Sequence, residues 1–240
     1  MLTNIITAVV PSSVLPAHPE GRIFEATVDG IHMVLPDINI VALMDGIRAE
    51  QEHRRADYET FKRNIRPQSY LTIKEYNEFH HQAWNVRDAL RKLVDTPLIF
   101  LVEHDWAMLP LQPIPFEAMS EVLLSGQANF IRLHQDTLIQ ECHMHLMGEH
   151  KVINDVPLRE TKAFWAQPHL VRRDWYLDML TRCFTEDCRT FIEDYAYGWL
   201  LERPFSETKM FFYEPEGNMK RCTHLNGRQG VEKYDDRLIR

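Results

Sequence analysis

The stretch from Thr96 to Trp106 limits what this chain can fold into more than any other. It opens with a turn residue and a proline, continues as an apolar run from Leu98 to Val102, and ends in the tripeptide Glu103-His104-Asp105. A short apolar run between breaking residues predicts a strand that is buried on both faces of a sheet. The preceding segment, Trp84 to Val94, has near-helical apolar spacing, so a helix is expected to lead into this strand.

A helix that leads into a buried strand is typical of a parallel α/β sheet. Ligands of such sheets bind at the carboxyl ends of the strands, and this strand ends in two carboxylates around an imidazole. Oxygen ligands and an imidazole nitrogen suit a divalent cation that carries phosphates. The alternative is a strand that leaves the core into a solvated acidic loop, because Asp and Glu are mostly exposed.

The rest of the chain predicts alternating strands and helices. A strand from Asn4 to Val10, a helix from Arg22 to Val34 and a strand from Ile38 to Met44 make a right-handed parallel unit. Further helices are predicted over Glu50–Asn64, within Glu75–Leu93, and over Phe116–Leu124, Arg173–Cys183 and Phe191–Leu201. Further strands are predicted over Ala128–Leu133, His143–Met147, Phe164–Gln167 and Lys209–Tyr213, with a strand or loop over Pro67–Ile73. The prediction is an α/β fold.

Composition narrows the function classes. The chain has 240 residues, 45% of them hydrophobic, which is enough for one large core and a single domain. A formal net charge of -8 gives no general attraction to nucleic acid or anionic membranes. With no CxxC pair, no secretory segment and no membrane span in the sequence, the four cysteines predict reduced thiols in a soluble cytoplasmic protein, bacterial or viral. The sequence contains no P-loop, GxGxxG or GxSxG motif, which argues against common kinases, dinucleotide enzymes and hydrolases.

The apolar strand that ends in Glu103-His104-Asp105, after a helix and a Thr-Pro pair, resembles the metal-binding acidic motif of nucleotide-sugar glycosyltransferases of the GT-A fold. The resemblance implies a mixed, mostly parallel sheet flanked by helices, with a Rossmann-like nucleotide-sugar half (1–106), an acceptor half (107–226) and a tail (227–240). It also implies an enzyme that moves a sugar from a nucleotide-diphosphate donor, foremost a UDP-sugar, to a hydroxyl acceptor. Asp105, with Glu103, would hold the cofactor, Mn²⁺ or Mg²⁺.

Two segments match the places where such enzymes hold the nucleotide. Pro11, Ser12 and Ser13 end the first strand, and Asp45 ends the second. An Asp at a strand end can accept from a ribose hydroxyl or a base N–H, and a loop offers backbone N–H groups; the alternative for Asp45 is a turn Asp before glycine. Further basic residues are assigned to the donor, and the last three could neutralise a diphosphate: Arg87, His104, Lys220, Arg221 and Arg228.

The tetrapeptide Phe191-Ile192-Glu193-Asp194 resembles the family's later Glu-Asp motif, which starts a helix below the acceptor. In inverting members the second carboxylate is the general base, which implies that role for Asp194, with Glu193 beside it. An acceptor hydroxyl is a poor nucleophile until its proton has somewhere to go. The alternative is an acidic pair that interacts with the helix dipole and has no catalytic role.

Two later segments complete the resemblance. His224 resembles a C-terminal histidine that often completes the family's metal site, although a lone histidine is usually a surface or packed residue. Trp165 and His169 match the acceptor-facing part of the fold, where an aromatic ring can stack on a sugar or base. The sequence departs from the family's pattern in two places: the triplet is not Asp-x-Asp, and before Glu193 only Gly148 is a candidate for a glycine-rich loop.

Three other functions stay open. A catalytically silent module could bind a nucleotide or sugar on the same fold. His143 and His145 would share one face of a strand and could bind the metal of a hydrolase with Cys142 and His150, although HExxH and CxxC spacings are missing and ordinary loop histidines are the alternative. A phage enzyme could glycosylate hydroxylated DNA bases and bind the DNA phosphates through a basic segment, although the net negative charge of the chain does not favour this. The basic residues of that segment are Arg48, Arg54, Arg55, Lys62, Arg63 and Arg66.

Overall fold

The structure, a computed structural model, describes residues 2–65, 68–110 and 112–225. Up to the acidic triplet, strands and helices alternate after a short 3₁₀ segment, Leu2–Asn4: β1 Ile6–Ser12, α1 Arg22–Val34, β2 Asn39–Met44, a 3₁₀ segment Ala49–Arg54, α2 Arg55–Asn64, β3 Leu71–Glu75, α3 His81–Lys92 and β4 Leu98–Leu101. The predicted strand–helix–strand opening is confirmed, and α1 has the predicted bounds.

The second half of the chain adds shorter elements: β5 Trp106–Met108, α4 Phe116–Leu124, β6 Phe130–Arg132, a 3₁₀ segment Glu141–Leu146, β7 Met147–Ile153, β8 Val156–Thr161, β9 His169–Arg172, α5 Arg173–Cys183, α6 Ile192–Leu201, α7 Phe205–Thr208, β10 Met210–Tyr213 and β11 Cys222–His224. Helices α4 and α5 have the predicted bounds.

Nine strands form one sheet in the order β3-β2-β1-β4-β9-β6-β10-β8-β7. The first four run parallel to one another, so the carboxyl ends of β1, β2 and β4 meet at one edge. Beyond β4 the sheet is mixed, because β9 is antiparallel to both of its neighbours while β10 is parallel to β6 and antiparallel to β8. The predicted α/β fold with a mixed sheet is confirmed.

Apolar cores cover both faces of this sheet. Ile6, Ala8 and Val10 of β1 pack in one core with α1 and α4, whereas Val9 packs in a second core with α3, α5 and α6. Successive side chains of a strand point to opposite faces, which explains this division. All four residues of β4 are buried, as its apolar sequence predicts.

A small ribbon lies next to the carboxyl end of β4. Strand β5 pairs antiparallel with β11, and His224 is opposite Trp106. Helix α1 packs closely on β5, because a Cβ added at Gly30 would lie 2.9 Å from the backbone nitrogen of Met108. The ribbon brings a late segment of the chain to the residue that follows the acidic triplet.

Two predicted elements are wrong. His143–Met147 is largely a 3₁₀ segment rather than a strand, and none of the residues of Glu141–Leu146 is buried, so its alternating pattern has no core to face. Phe164–Gln167 is not a strand, and the strand of this region, β9, begins only at His169. Pro168 has no backbone N–H to donate to a neighbouring strand, so β9 begins after it. The helix predicted within Glu75–Leu93 is confirmed as α3, His81–Lys92.

The cysteines and the helices complete the description. All four cysteines are free thiols, as predicted. Within residues 2–65, 68–110 and 112–225, no helix combines the length and apolar character needed to cross a bilayer.

Candidate functional site

The carboxyl ends of β1, β2 and β4 enclose a narrow depression. Five of the predicted donor residues line it: Pro11, Ser12, Ser13, Asp45 and His104. The other residues of the lining are Arg48, Phe79, His81, Gln82, Asn85, Glu103 and Phe191. Its volume of about 50 Å³ is below the roughly 300–1,000 Å³ of typical ligand pockets. A ligand of nucleoside size therefore needs its outer wall to move.

Asp45 anchors the loop that forms this wall. Its Oδ1 accepts hydrogen bonds of 2.9 Å from the backbone nitrogens of Gly46 and His80, and its Oδ2 accepts one of 2.9 Å from that of His81. A Cβ at Gly46 would lie 2.2 Å from the carbonyl carbon of Glu78, so only glycine allows the loop to come this close. Asp45 thus lines the depression and also holds its loop; contact with a nucleoside stays a prediction.

Aromatic and cationic groups close the outer wall. Arg48 Nη2 lies 2.6 Å from His81 Nε2, and its guanidinium lies 4.7 Å from the Phe79 ring centroid. The rings of His81 and Phe191 meet edge to face at 4.3 Å. His81 also has a backbone φ of 69°, a left-handed conformation that costs energy for a non-glycine residue and is often found at functional sites.

Three buried polar atoms in the depression have no hydrogen-bond partner in the described part of the chain: Ser12 Oγ, Asn85 Oδ1 and His104 Nε2. His104 Nδ1 lies 3.1 Å from the Pro11 carbonyl oxygen and donates to it, so in the neutral imidazole Nε2 is an acceptor. Two acceptors and a hydroxyl therefore face a ligand that can donate hydrogen bonds. Buried polar groups are normally paired, so these atoms mark a place for polar ligand groups.

The acidic triplet and the ribbon bring two of the three predicted metal ligands, Asp105 and His224, into contact. His224 Nε2 lies 3.1 Å from Asp105 Oδ2, although 119 residues separate them. The bond from the Leu225 nitrogen to the Asp105 carbonyl oxygen, 2.7 Å long, fixes this register. Burial raises the pKa of Asp105, but the nearby His104 and the hydrogen bond from His224 outweigh it, so the pKa lies below its usual value.

Beyond Glu103 the site opens into a groove of about 500 Å³. Its lining contains four carboxylates, three imidazoles and the Trp165 ring: Glu103, Asp105, Trp106, His134, Gln135, Asp136, Gln140, His143, Trp165, Ala166, Gln167, Glu193 and His224. Glu103 lines both the depression and the groove, and it accepts a hydrogen bond from Gln82. The two cavities are therefore neighbours that share one carboxylate.

Glu193 and Asp194 face different cavities. Glu193 lines the groove and accepts a hydrogen bond from the Ala166 nitrogen. Burial, with a smaller contribution from Asp194, raises the pKa of Glu193 above its usual value despite this hydrogen bond and the charge of Arg132. Asp194 instead accepts from the Thr190 hydroxyl and, at 3.3 Å, from the Phe191 nitrogen. It caps its own helix and borders another open cleft with Arg189 and Phe191, which does not suit the predicted role of base in the groove.

Of the two residues predicted to contact the acceptor, Trp165 lines the groove and His169 is buried. The Trp165 ring lies on the groove, with the His143 ring 4.5 Å away. His169 is 1% exposed and its Nδ1 lies 2.9 Å from the Gln167 carbonyl oxygen. Burial lowers the pKa of His169 to about 4, so it is a neutral packed residue below the groove.

Several predicted donor residues do not reach the depression. Arg87 is buried and donates to the carbonyl oxygens of Phe184 and Thr185. Arg221 is 2% exposed and donates to the carbonyl oxygens of Asn218 and Lys220. Both guanidiniums thus tie loops together instead of facing a ligand.

The two remaining donor residues are Lys220 and Arg228. Lys220 forms an isolated bridge with His134, and its side chain is not part of the lining described above. Arg228 lies outside the described residues.

The cluster predicted for a metal hydrolase does not assemble. His150 Nε2 pairs with Glu214 at 3.0 Å, His143 contacts Trp165, and the Cys142 thiol lies 3.7 Å from Gln140. The shared strand face expected for His143 and His145 is wrong, since both lie in a 3₁₀ segment.

Among the described residues, no group of three or more His, Cys, Asp or Glu side chains is arranged to hold a metal by itself. The chemistry of Asp105 and His224, an oxygen and a nitrogen ligand, nevertheless suits Mn²⁺ or Mg²⁺. Such ions are often held by one or two protein ligands, with phosphates and waters in the other positions. The pair therefore fits a metal whose binding is completed by a diphosphate.

Two residues of the site were missed from the sequence. Gln82 joins the acidic triplet to α6, because it donates to Glu103 and its Oε1 accepts from the Ile192 nitrogen at 3.0 Å; a single Gln at the start of a helix carries no signal of this. Arg132 lies behind Trp165. A charged residue inside the apolar strand Ala128–Leu133 is a signal that could have identified it.

No protein-family model matches the chain, and no curated protein sequence matches it. Among solved structures it is similar to TarS from S. aureus in complex with UDP, at 8% identity and a TM-score of 0.54, over 89% of this chain and 59% of that chain. It is also similar to GalNAc-T7 with UDP, GalNAc and Mn²⁺, at 10% identity and a TM-score of 0.52, over 94% of this chain and 44% of that chain. The chain thus spans about half the length of these two glycosyltransferases.

A cytidylyltransferase from Leptospira borgpetersenii is similar as well, at 12% identity and a TM-score of 0.51, over 90% of this chain and 78% of that chain. At these identities the similarities show the fold, which is the GT-A-like fold predicted from the acidic motif. The similarity to a cytidylyltransferase indicates that the fold alone does not determine which reaction a protein catalyses.

Proposed function

We propose that this protein is a metal-dependent glycosyltransferase that moves a sugar from a UDP-sugar to a hydroxyl acceptor. The observation that carries the proposal is the meeting of three parts at the end of β4. These are a depression with unpaired buried polar atoms, the Asp105–His224 pair at 3.1 Å, and an open groove with a carboxylate of raised pKa.

The depression supports binding of the nucleoside. Ser12, Asn85 and His104 offer a hydroxyl and two acceptors, which match the hydroxyl and N–H groups of a ribose and a base. The narrow volume requires the wall at Phe191 and His81 to open. A wall that closes again behind the donor would exclude water from the reacting centre.

Asp105 and His224 would hold Mn²⁺ or Mg²⁺ together with the diphosphate. When bound, such an ion stabilises the negative charge of the departing nucleotide as a Lewis acid. The lowered pKa of Asp105 keeps its carboxylate ionised near neutral pH.

We assign the general base to Glu193 rather than to Asp194. Its carboxylate lies in the groove, and its raised pKa favours proton uptake nearer to neutral pH. Glu193 would accept the proton of an acceptor hydroxyl while Trp165 supports the acceptor from the side. Attack from the side opposite the leaving nucleotide would invert the anomeric configuration.

The groove favours an uncharged acceptor such as a carbohydrate. Four carboxylates line it, Glu103, Asp105, Asp136 and Glu193, and no Lys or Arg does so among the described residues. Such a surface repels a DNA backbone, so the basic segment Arg48–Arg63 would have to provide all of the attraction for a DNA acceptor.

A thermal-shift screen of nucleotide sugars with and without Mn²⁺ tests the proposal. The matching donor should raise the melting temperature by mass action, and free UDP should appear faster when an acceptor sugar is added. Stabilisation without any UDP release would indicate a silent binding module. Release of pyrophosphate from a nucleoside triphosphate would indicate nucleotidyl transfer instead.

A further inference from the structure

Arg132, the last residue of β6, is a fully buried arginine. Its Nη1 donates a long hydrogen bond of 3.3 Å to the Ala163 carbonyl oxygen, whereas its Nε and Nη2 have no hydrogen-bond partner in the described part of the chain. No ion pair with a carboxylate is found for it among the same residues. A buried, unpaired charge is costly, so its presence needs a physical reason.

The guanidinium lies between two aromatic rings. It is 4.3 Å from the ring centroid of Trp165 and 4.8 Å from that of Phe212. A cation over an aromatic face is attracted to it, more strongly where water is excluded. Arg132 therefore fixes the buried side of the Trp165 ring, whose other surroundings include His143 and the open groove.

The same charge acts on Glu193. Arg132 bonds the Ala163 carbonyl oxygen and Glu193 bonds the Ala166 nitrogen, so both groups hold the short segment that carries Trp165. The charge of Arg132 opposes the effects of burial and of Asp194, both of which raise the pKa of Glu193. Burial lowers the pKa of Arg132 itself to about 9, so it remains charged at neutral pH.

The other titratable groups around Glu193 are mostly acidic or neutral. Tyr176, packed behind the site, has a pKa raised by burial and by Glu103 and Glu193, so it stays uncharged. The remaining groups line the groove: Glu103, Asp105, His134, Asp136, His143 and His224. Arg132 is therefore the permanent cation next to the base in the described part of the site.

We propose that Arg132 is a positioning residue that couples the two acceptor-side parts of the site. It holds the Trp165 ring as a platform, and its positive charge acts on Glu193, which bonds the same short segment, Ala163 to Ala166. Its meaning for catalysis rests on the proposed function, but the coupling itself is a property of the folded protein. It can therefore be measured without any activity.

Nuclear magnetic resonance on three variants tests the coupling. Arg132→Met removes the charge at similar size, Arg132→Lys keeps a charge but loses the planar stacking group, and Arg172→Met is the control. Arg172 is a partly buried arginine of the neighbouring strand, bonded to Asn129 and paired with Leu98 at the opposite end of β4. The signals followed are the Glu193 side-chain carboxyl carbon, assigned with Glu193→Gln, and the Trp165 indole N–H, assigned with Trp165→Phe.

The pKa of Glu193 should rise in Arg132→Met, because a positive charge that lowers it is removed, and should stay near the wild-type value in Arg132→Lys and Arg172→Met. The Trp165 indole signal should shift or split in both Arg132 variants and not in the control. A wild-type pKa of Glu193 in Arg132→Met, or a wild-type Trp165 signal in either Arg132 variant, overturns the proposal.

If Arg132→Met does not fold, Arg132→Lys still decides the test. An unchanged Trp165 signal in Arg132→Lys is sufficient to reject the coupling. If the protein transfers sugars, the acidic limb of its pH–rate profile should move to higher pH in Arg132→Met, because the pKa of Glu193 rises. Absence of transfer in every variant and in the wild type would reject the proposed function and leave the measured coupling unaffected.

Discussion

The depression and the groove meet at Glu103, but they are built on different physical principles. The depression has a volume of about 50 Å³, its loop is held by three backbone hydrogen bonds to Asp45, and its unpaired buried atoms are two acceptors and a hydroxyl. The groove is about ten times larger, and the unpaired buried atoms on it and behind it include Gln167 Oε1 and the Nε and Nη2 of the Arg132 cation.

This difference indicates two modes of recognition. A narrow cavity with directional acceptors selects a ligand by hydrogen bonds and has to widen to admit it. An open, acidic groove with an aromatic wall admits varied uncharged ligands and orients them by surface contact. Selectivity for the donor should therefore exceed selectivity for the acceptor, and the following substitutions test the two sides in order of expected effect on transfer.

Asp105→Asn should have the largest effect. It removes one negative charge at nearly constant shape, so transfer should fall by about 10³-fold or more because stabilisation of the transition state is lost. Circular dichroism should show an unchanged fold. Full activity of this variant under limiting metal would contradict the role of Asp105.

Glu193→Gln should reduce turnover by about 10²–10⁴-fold, the usual contribution of a general base, and leave binding of the UDP-sugar nearly intact. The raised pKa of Glu193 also predicts a stability effect. Folding favours the protonated form, so the contribution of Glu193 is present at low pH and is lost as the pH rises through its folded pKa. The Gln variant should therefore melt at a higher temperature than the wild type at pH 7, and the difference should shrink at low pH.

The matched control is Asp194→Asn. It should keep its turnover within about twofold and lose about 0.5–1 kcal/mol of stability through its helix cap. Loss of turnover in Asp194→Asn alone would return the role of base to Asp194. Products that retain the donor's anomeric configuration would exclude a base mechanism for both residues.

His224→Ala should raise the Mn²⁺ concentration required for half-maximal activity by about tenfold or more. Metal titration at saturating donor measures this, with His145→Ala, in the exposed part of a 3₁₀ segment, as the control. An unchanged titration would make His224 a surface residue that only bonds to Asp105.

Ser12→Ala should have a smaller effect, confined to the depression. Loss of one neutral hydrogen bond to the nucleoside costs about 0.5–1.5 kcal/mol, so the dissociation constant of UDP should rise by about 2–10-fold while turnover at saturating donor stays constant. Ser13→Ala, at the next residue of the same lining, is the comparison. Equal UDP affinity in the wild type and Ser12→Ala would place the nucleoside elsewhere.

His169→Phe should leave transfer unchanged, because His169 is packed below the groove and does not line it. The folded pKa of about 4 lies below the unfolded value of about 6.5, so the unfolded chain binds protons first as the pH falls. This lowers the stability of the wild type by about 3 kcal/mol between pH 6.5 and 4. Urea unfolding at several pH values should show a smaller loss in the variant, and a changed acceptor KM would instead support the acceptor contact predicted from the sequence.

Local patterns predicted much of this molecule because they follow from nearby residues. The bounds of α1, α4 and α5 follow from apolar spacing, and the buried β4 follows from its apolar run. The hairpin of β7 and β8 was not predicted, although Asn154 and Asp155 both adopt positive φ at its turn, a conformation that Asn and Asp tolerate.

The site could be predicted only where residues follow strand ends. Asp45 and Asp105 do, whereas the choice between Glu193 and Asp194 depends on where α6 begins. Neighbouring residues on a helix point about 100° apart, so the helix start decides which carboxylate reaches the groove. The position of Arg132 behind Trp165 depends on the packing of β6, β10 and the loop at Ala163, which no local pattern encodes.

The pairing of β5 with β11 also governs when the site can exist during synthesis. Asp105 and His224 are 119 residues apart, and closing a contact of such sequence separation is slow compared with forming local elements. A growing chain that has passed β4 can form the parallel sheet, but it acquires the proposed metal-binding pair only after His224 has left the ribosome. Nascent or prematurely terminated chains should therefore be folded in part yet unable to consume nucleotide sugar, which confines the reaction to chains synthesised at least as far as this ribbon.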